Sequence, residues 1–222
     1  MPLGRNTVTG MIKILYTTLR DCDASSLLER YRSCFTLAQI ESAQRFRKEE
    51  DRQRSLLGKL LLRELLDIFG LERDLSLKIQ HTRYKRPYVG NDSFDYNISH
   101  SGQYILCIAS DETRVGIDVE EMKSVCLSDY RFALTEQEWS EVQSARDPQK
   151  AFYKLWCTKE SALKADGRGL INDLGQVKIF DKYTEIGMEF WHSQELSLDE
   201  EYMVAVSYRE GKMDSSMQYV DF

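Results

Sequence analysis

Proline is scarce in this sequence, paired cysteines are missing, and no apolar run is long. Only three prolines occur among 222 residues, with 42% apolar and 30% charged positions, a composition that excludes a disordered or proline-rich chain and predicts a packed core. The five cysteines, Cys22, Cys34, Cys107, Cys126 and Cys157, are odd in number and form no CxxC pair. That pattern argues against a disulfide framework or a zinc ribbon and fits reduced thiols in a cytoplasmic protein. The three histidines, His81, His100 and His192, stand apart in sequence and give no support for a zinc triad. The most apolar N-terminal run, residues 11–15, is broken by Lys13, and no stretch is long enough to cross a bilayer, so neither secretion nor membrane insertion is expected. An excess of positive charge is absent too. The net charge of −6 excludes broad electrostatic binding to nucleic acid and confines any anion site to a local pocket.

What is present is a mixture of helical and strand periods. Residues 1–10 read as a polar leader, and 12–18 as a β-branched strand. Residues 46–69 carry Leu56, Leu57, Leu60, Leu61, Leu65 and Leu66 at helical spacing and run into Gly70. Short strands are expected at 75–80, 94–99 and 104–110, separated by turns containing Gly90, Asn91 and Gly102. The plan then recurs: a strand at 115–120, helices near 136–144 and 151–165, and strands at 177–180, 188–192 and 202–208. "LKI" at Leu77 answers "VKI" at Val177, and "YILCIAS" at Tyr104 answers "YMVAVSY" at Tyr202. The order predicts an α+β protein of two similar lobes, residues 11–111 and 112–222, meeting near 111–114.

Three strings carry chemistry. In "GIDVE", alternation along a strand sends Val115, Ile117 and Val119 to the core and sets Asp118 and Glu120 side by side on the other face. Such a pair reads either as solvated acids of an edge strand or as a site for a hard cation such as Mg²⁺. In "WCTKESALKADGRGL", helical spacing puts Trp156, Glu160 and Lys164 on one stripe. Glu160 is then a third carboxylate, with Lys159 and Lys164 available to phosphate oxygens, or Glu160 and Lys164 form a surface ion pair. In "NISHSG", a strand ends in a polar turn where Ser99, His100 and exposed amides suit an anionic oxygen, although a histidine at a turn is also an ordinary surface residue. Arg54 lies in the basic start of the long helix, one turn before Gly58, where the glycine points to a close neighbouring backbone or ligand. Lys85-Arg86-Pro87-Tyr88 adds a basic turn.

Together, "RSLLGKLLLREL", "RPY", "NISHSG", "VGIDVE" and "FYKLWCTKESALKADGRGL" resemble, in order, the 4′-phosphopantetheinyl transferases of the Sfp-like class. The resemblance implies a pseudo-symmetric monomer of two α+β lobes, each a small antiparallel sheet packed with helices, holding coenzyme A and Mg²⁺ in the cleft between them. It implies transfer of phosphopantetheine to a serine of an acyl or peptidyl carrier protein, with release of adenosine 3′,5′-bisphosphate. It further implies Asp118, Glu120 and Glu160 as metal ligands; Asp118, Glu160 and Lys164 as catalytic groups; Arg54, Arg86, Ser99 and His100 at the adenosine 3′-phosphate end; and Lys159 and Lys164 near the pyrophosphate. Glu138, or Glu136, matches a further acidic position near the metal. The carrier is expected to dock along 122–135, at Val125, Leu127, Tyr130 and Phe132. Residues 39–44 lack the lysines frequent in the family, and arginine stands before Pro87 where lysine is frequent. A Mg²⁺-dependent nucleotide or pyrophosphate hydrolase and a non-catalytic coenzyme A-binding module are the competing readings.

Overall fold

The protein is described by a computed structural model over residues 10–20, 23–91, 93–169 and 174–222. Of the expected leader only Gly10 falls among these; Cys22 and Leu170 lie outside them. The first half runs β1 (Met11–Thr18), α1 (Ala24–Arg30), α2 (Leu37–Gln44), α3 (Glu49–Ile68), the small hairpin β2 (Gln80–His81) and β3 (Pro87–Tyr88), then β4 (Asp95–Ser101) and β5 (Tyr104–Ser110). The second half runs β6 (Val115–Glu121), α4 (Glu136–Ser144), α5 (Pro148–Asp166), β7 (Lys178–Phe180), β8 (Tyr183–Ile186), β9 (Glu189–Leu196), β10 (Tyr202–Tyr208) and β11 (Lys212–Tyr219).

Each half builds three strands of one sheet by the same rule. A first strand is followed by a long helix and an antiparallel pair of strands, and the last strand of the pair inserts beside the first: β1-β5-β4 in one sheet, β6-β10-β9 in the other. The strings at Tyr104 and Tyr202 are the equivalent central strands β5 and β10. "LKI" and "VKI" are not equivalent: Leu77 lies in a 3₁₀ turn, Arg73–Lys78, whereas Val177 leads into β7. The strand expected at 75–80 is that turn, because Ser76 bonds back to the Arg73 carbonyl (2.7 Å) and Gln39 donates to the Ser76 carbonyl (2.8 Å).

Period-two alternation layers the molecule. Ile105, Cys107 and Ala109 of β5 meet the leucines of α3, while Leu106 and Ile108 turn to the opposite face. There they join Ile12 and Ile14 against Val115, Ile117, Val119, Val204 and Val206 of the second sheet. Met203, Ala205 and α5 cover the far side. The result is helix, sheet, sheet, helix. The neighbour that crowds Gly58 is a side chain and not a backbone: a Cβ there would lie 3.1 Å from Ile98 Cγ2. Strand β11, on the C-terminal side of residue 112, pairs in parallel with β1, so the sheets do not divide at that residue throughout.

Candidate active site at the junction of the two sheets

Strand β6 reaches the site because α5 lies unusually close to it. A Cβ at position 116 would stand 2.1 Å from the Ser161 carbonyl oxygen, so only glycine permits this contact. α5 is fixed at both ends, by Asp147 capping the Lys150 amide with Pro148 in the first turn, and by Gly167 in the left-handed conformation (φ +77°). Trp156, Glu160 and Lys164 therefore face Asp118 and Glu120 across a cleft of about 280 Å³, which Ser99 and His100 of β4 close from the first sheet.

Lys164 Nζ donates to Asp118 Oδ1 (2.6 Å) and Ser99 Oγ (3.0 Å), and Ser99 donates to Asp118 Oδ1 (3.1 Å). Asp118 Oδ2 is buried and has no hydrogen-bond partner among the described residues. Burial first, and then the charge of Asp118, push the carboxyls of Glu120 and Glu160 above the usual range. Three acids crowded in this way favour a cation between them. Among the described residues they do not form a closed three-ligand cage as placed, and Lys164 supplies the positive charge nearest Asp118. The buried, unpaired Asp118 oxygen and the all-oxygen donor set fit a hard divalent ion.

The phosphate-end residues are distributed differently. His100 is open to solvent; the cleft walls, and then Arg54 and Lys164, push its imidazole below the usual range. Arg54 donates to the Gly102 carbonyl (2.6 Å) and to Asp51 (2.6 Å), holding the β4–β5 turn beside His100. Arg86 is buried: Nη2 serves Asp95 and the Val115 carbonyl, while Nε and Nη1 have no partner among the described residues. It borders a second cavity of about 210 Å³ that shares Glu160 and Lys164 with the first and extends to Pro87 and Gly169.

Three expectations need correction. Lys159, expected beside the pyrophosphate, is 1% exposed and donates to Glu138 (2.7 Å), the Ala133 carbonyl (2.9 Å) and the Leu174 carbonyl (3.1 Å). It lies about 100° around the helix from Glu160, off the cleft stripe. Glu138 is not near the acids either, because its carboxylate accepts from Lys159 and from the Thr135 amide (2.8 Å); Glu136 pairs with Arg131. Ser99, expected at the 3′-phosphate end, donates to Asp118 Oδ1 and so lies with the carboxylates in this structure.

Residues 114–210 match the 4′-phosphopantetheinyl transferase superfamily, and residues 24–113 match the model described as 4′-phosphopantetheinyl transferase, N-terminal. A 4′-phosphopantetheinyl transferase of Bacillus subtilis is 31% identical over 80% of this chain and 84% of its own length. The chain belongs to the 4′-phosphopantetheinyl transferase family. The transferase is also similar to 4′-phosphopantetheinyl transferase Sfp of Bacillus subtilis strain 168, at 31% identity over 64% of each chain. An L-aminoadipate-semialdehyde dehydrogenase-phosphopantetheinyl transferase of Mus musculus is 29% identical over 77% of this chain and 66% of its own. Every member of the cleft thus falls within the matched residues, whereas β1 and β11 of the first sheet lie outside the two family models.

Asp95 lies outside the strings that carry chemistry in the sequence, and Asn97 and Ser101 fall inside "NISHSG" without a role there; along β4 the three alternate with Tyr96, Ile98 and His100. A D-x-N-x-S-x-S pattern was the available signal: one face of a strand made wholly of hydrogen-bonding side chains.

Proposed function

We propose that the enzyme converts an apo carrier protein to its holo form at this cleft, with Asp118, Glu120 and Glu160 holding Mg²⁺. The observation that carries the site is the convergence of these acids with Lys164 around the buried, unpaired Asp118 oxygen. When bound, the ion supplies charge neutralisation on the pyrophosphate of coenzyme A. The carrier serine oxygen bonds to the β-phosphorus, and the bond from that phosphorus to the bridging oxygen breaks. Adenosine 3′,5′-bisphosphate leaves. Glu160 takes the serine proton. Lys164 turns its ammonium to the leaving phosphate, and His100 with Arg54 meets the 3′-phosphate. Arg86 holds the wall of the adjoining cavity through its pair with Asp95.

The docking reading narrows to one residue. Val125, Leu127 and Tyr130 are half-buried against a cluster containing Phe152, whereas Phe132 is 64% exposed on the turn Leu127–Ala133 and is open to an apolar carrier helix. Free thiols at Cys34, Cys107, Cys126 and Cys157 suit a cytoplasmic enzyme. No described helix is long and apolar enough to cross a membrane. We take the working form to be a monomer, since each lobe supplies one wall of the cleft.

The test is intact-mass spectrometry of a panel of apo carrier proteins incubated with coenzyme A and Mg²⁺. A phosphopantetheine mass gain is expected, lost on chelation and in Asp118→Ala, and slowed roughly 10²- to 10³-fold in Lys164→Gln, the usual effect of removing one preorganised donor to a transition state. Release of product from coenzyme A alone, with no carrier modified, would overturn the reading in favour of a hydrolase.

A further inference from the structure

The two sheets do not pair through their backbones where they meet. Strand β4 instead lays four side chains on the amide edge of β6, in register and at every second residue. Asp95 Oδ2 accepts from Val115 N (2.9 Å), Asn97 Oδ1 from Ile117 N (3.1 Å), Ser99 Oγ from Val119 N (3.3 Å) and Ser101 Oγ from Glu121 N (3.1 Å). Each amide can only donate, so each ladder residue must accept.

The residue types along the ladder change where the carboxylates begin. The two lower steps flank Arg114 and Gly116 and use a carboxylate and an amide. The two upper steps flank Asp118 and Glu120 and use hydroxyls, which accept on one side and donate on the other. Ser99 donates a hydrogen bond to Asp118 Oδ1 (3.1 Å), and Ser101 donates one to Glu120 Oε2 (2.8 Å). A fixed donor thus sets the direction of each hydroxyl, and each hydroxyl fixes one oxygen of the acid beside it. A carboxylate at position 101 would repel Glu120, and an apolar side chain would leave the Glu121 amide without its acceptor.

We propose that Ser101 is a positioning residue for the transfer reaction: oriented by the Glu121 amide, its hydroxyl holds the Glu120 carboxylate so that the other oxygen is presented to the divalent ion. Ser101 touches neither substrate nor reacting atoms. It acts through Glu120, as Ser99 acts through Asp118, so the joint between the lobes also sets the geometry of the metal ligands. The inference rests on the metal-binding reading given above, and the experiment separates the two.

Mn²⁺ binding is measured without turnover, from the free-ion electron paramagnetic resonance signal, on the full-length protein with coenzyme A and no carrier. A thermal melt accompanies each variant. Ser101→Thr keeps the hydroxyl and is expected within about twofold of the wild-type affinity. Its near-isostere Ser101→Val lacks the hydroxyl and is expected to bind roughly tenfold more weakly, the lower end of the range for losing a partner of a metal ligand. Asn97→Ala removes a ladder step that touches no carboxylate; it is expected to lower the melt and leave Mn²⁺ affinity in place. Wild-type affinity in Ser101→Val would overturn the proposal while the metal site stands. Equal losses in Ser101→Val and Ser101→Thr, or in Ser101→Val and Asn97→Ala, would also overturn it, because the effect would then follow packing or the joint rather than the hydroxyl. No Mn²⁺ binding by the wild-type protein would overturn the metal reading and this inference with it.

Discussion

His100 shares the mouth of the cleft with Arg54 and Lys164, and desolvation together with these two charges keeps its pKa below the usual histidine value. Near pH 7 the free enzyme therefore carries it neutral. A 3′-phosphate placed beside it favours the imidazolium, so the bound state has the higher pKa and binding must take up a proton. By linkage, affinity for coenzyme A rises as pH falls toward the pKa of the bound state. Calorimetry in two buffers of different ionisation enthalpy is expected to show uptake of a fraction of a proton more in the wild type than in His100→Gln, and less with 3′-dephospho-coenzyme A. Identical proton uptake in wild type and variant would remove His100 from the phosphate. At the same scale, Lys159 and Lys164 are both lysines on one helix, and the family resemblance implies the pyrophosphate for both. Helical phase separates them. Trp156, Glu160 and Lys164 share a stripe, whereas Lys159 points at Glu138 and two carbonyls that the sequence places far from it.

Strands and helices that bury a periodic apolar face were legible: α3, β5, β6, β10 and the stripe of α5 fall close to where the spacing put them. Elements stabilised by distant partners were not. β11 reads "KMDSSMQY", too polar to declare itself, and becomes a strand because β1, from the opposite end of the chain, offers it an edge. α2 had a readable start, since Thr36 and Gln39 form a capping box, but its apolar face is narrow. The close contact of β6 with α5 was invisible, because a glycine in a strand does not say what approaches it. Its consequence is testable. At position 116 a methyl would meet backbone atoms, the Ser161 oxygen at 2.1 Å and the Ala165 nitrogen at 2.5 Å, and backbone cannot swing aside as a side chain does. Gly116→Ala is expected to destabilise the protein by about 3 kcal/mol, the upper end for one added carbon in a packed interior. Turnover should fall further than the melt implies, since Glu160 and Lys164 ride on the displaced helix. Gly58→Ala is the contrast: its close neighbour is an Ile98 methyl at 3.1 Å, and a gain of about 1 kcal/mol in helix propensity offsets the crowding. A Gly116→Ala melt as mild as that of Gly58→Ala would refute the packing argument.

At the scale of the whole molecule, the two lobes share a plan without being separable units. Three features tie them: the interior between the sheets, to which both contribute; the ladder from β4 to β6; and β11, which returns from the second half to flank β1. In a fragment of residues 11–111, Ile12, Ile14, Leu106 and Ile108 would lose the surface that covers them. At roughly 1.5–3 kcal/mol for each large aliphatic side chain, their exposure costs on the order of 6–12 kcal/mol, close to the entire stability of an ordinary domain. The fragment would also present β1 as an open, apolar edge where β11 now lies. Residues 11–111 expressed alone are therefore expected to show no cooperative thermal transition and to aggregate, and mixing with residues 112–222 should restore both the transition and carrier modification. The measurements are a circular-dichroism melt of each fragment and of the mixture, with carrier mass as the functional readout. A sharp, reversible transition in the isolated 11–111 fragment would show that the first sheet is stable on its own, and would make the joint at Ser99 and Ser101 a docking surface between two finished domains rather than part of one interior.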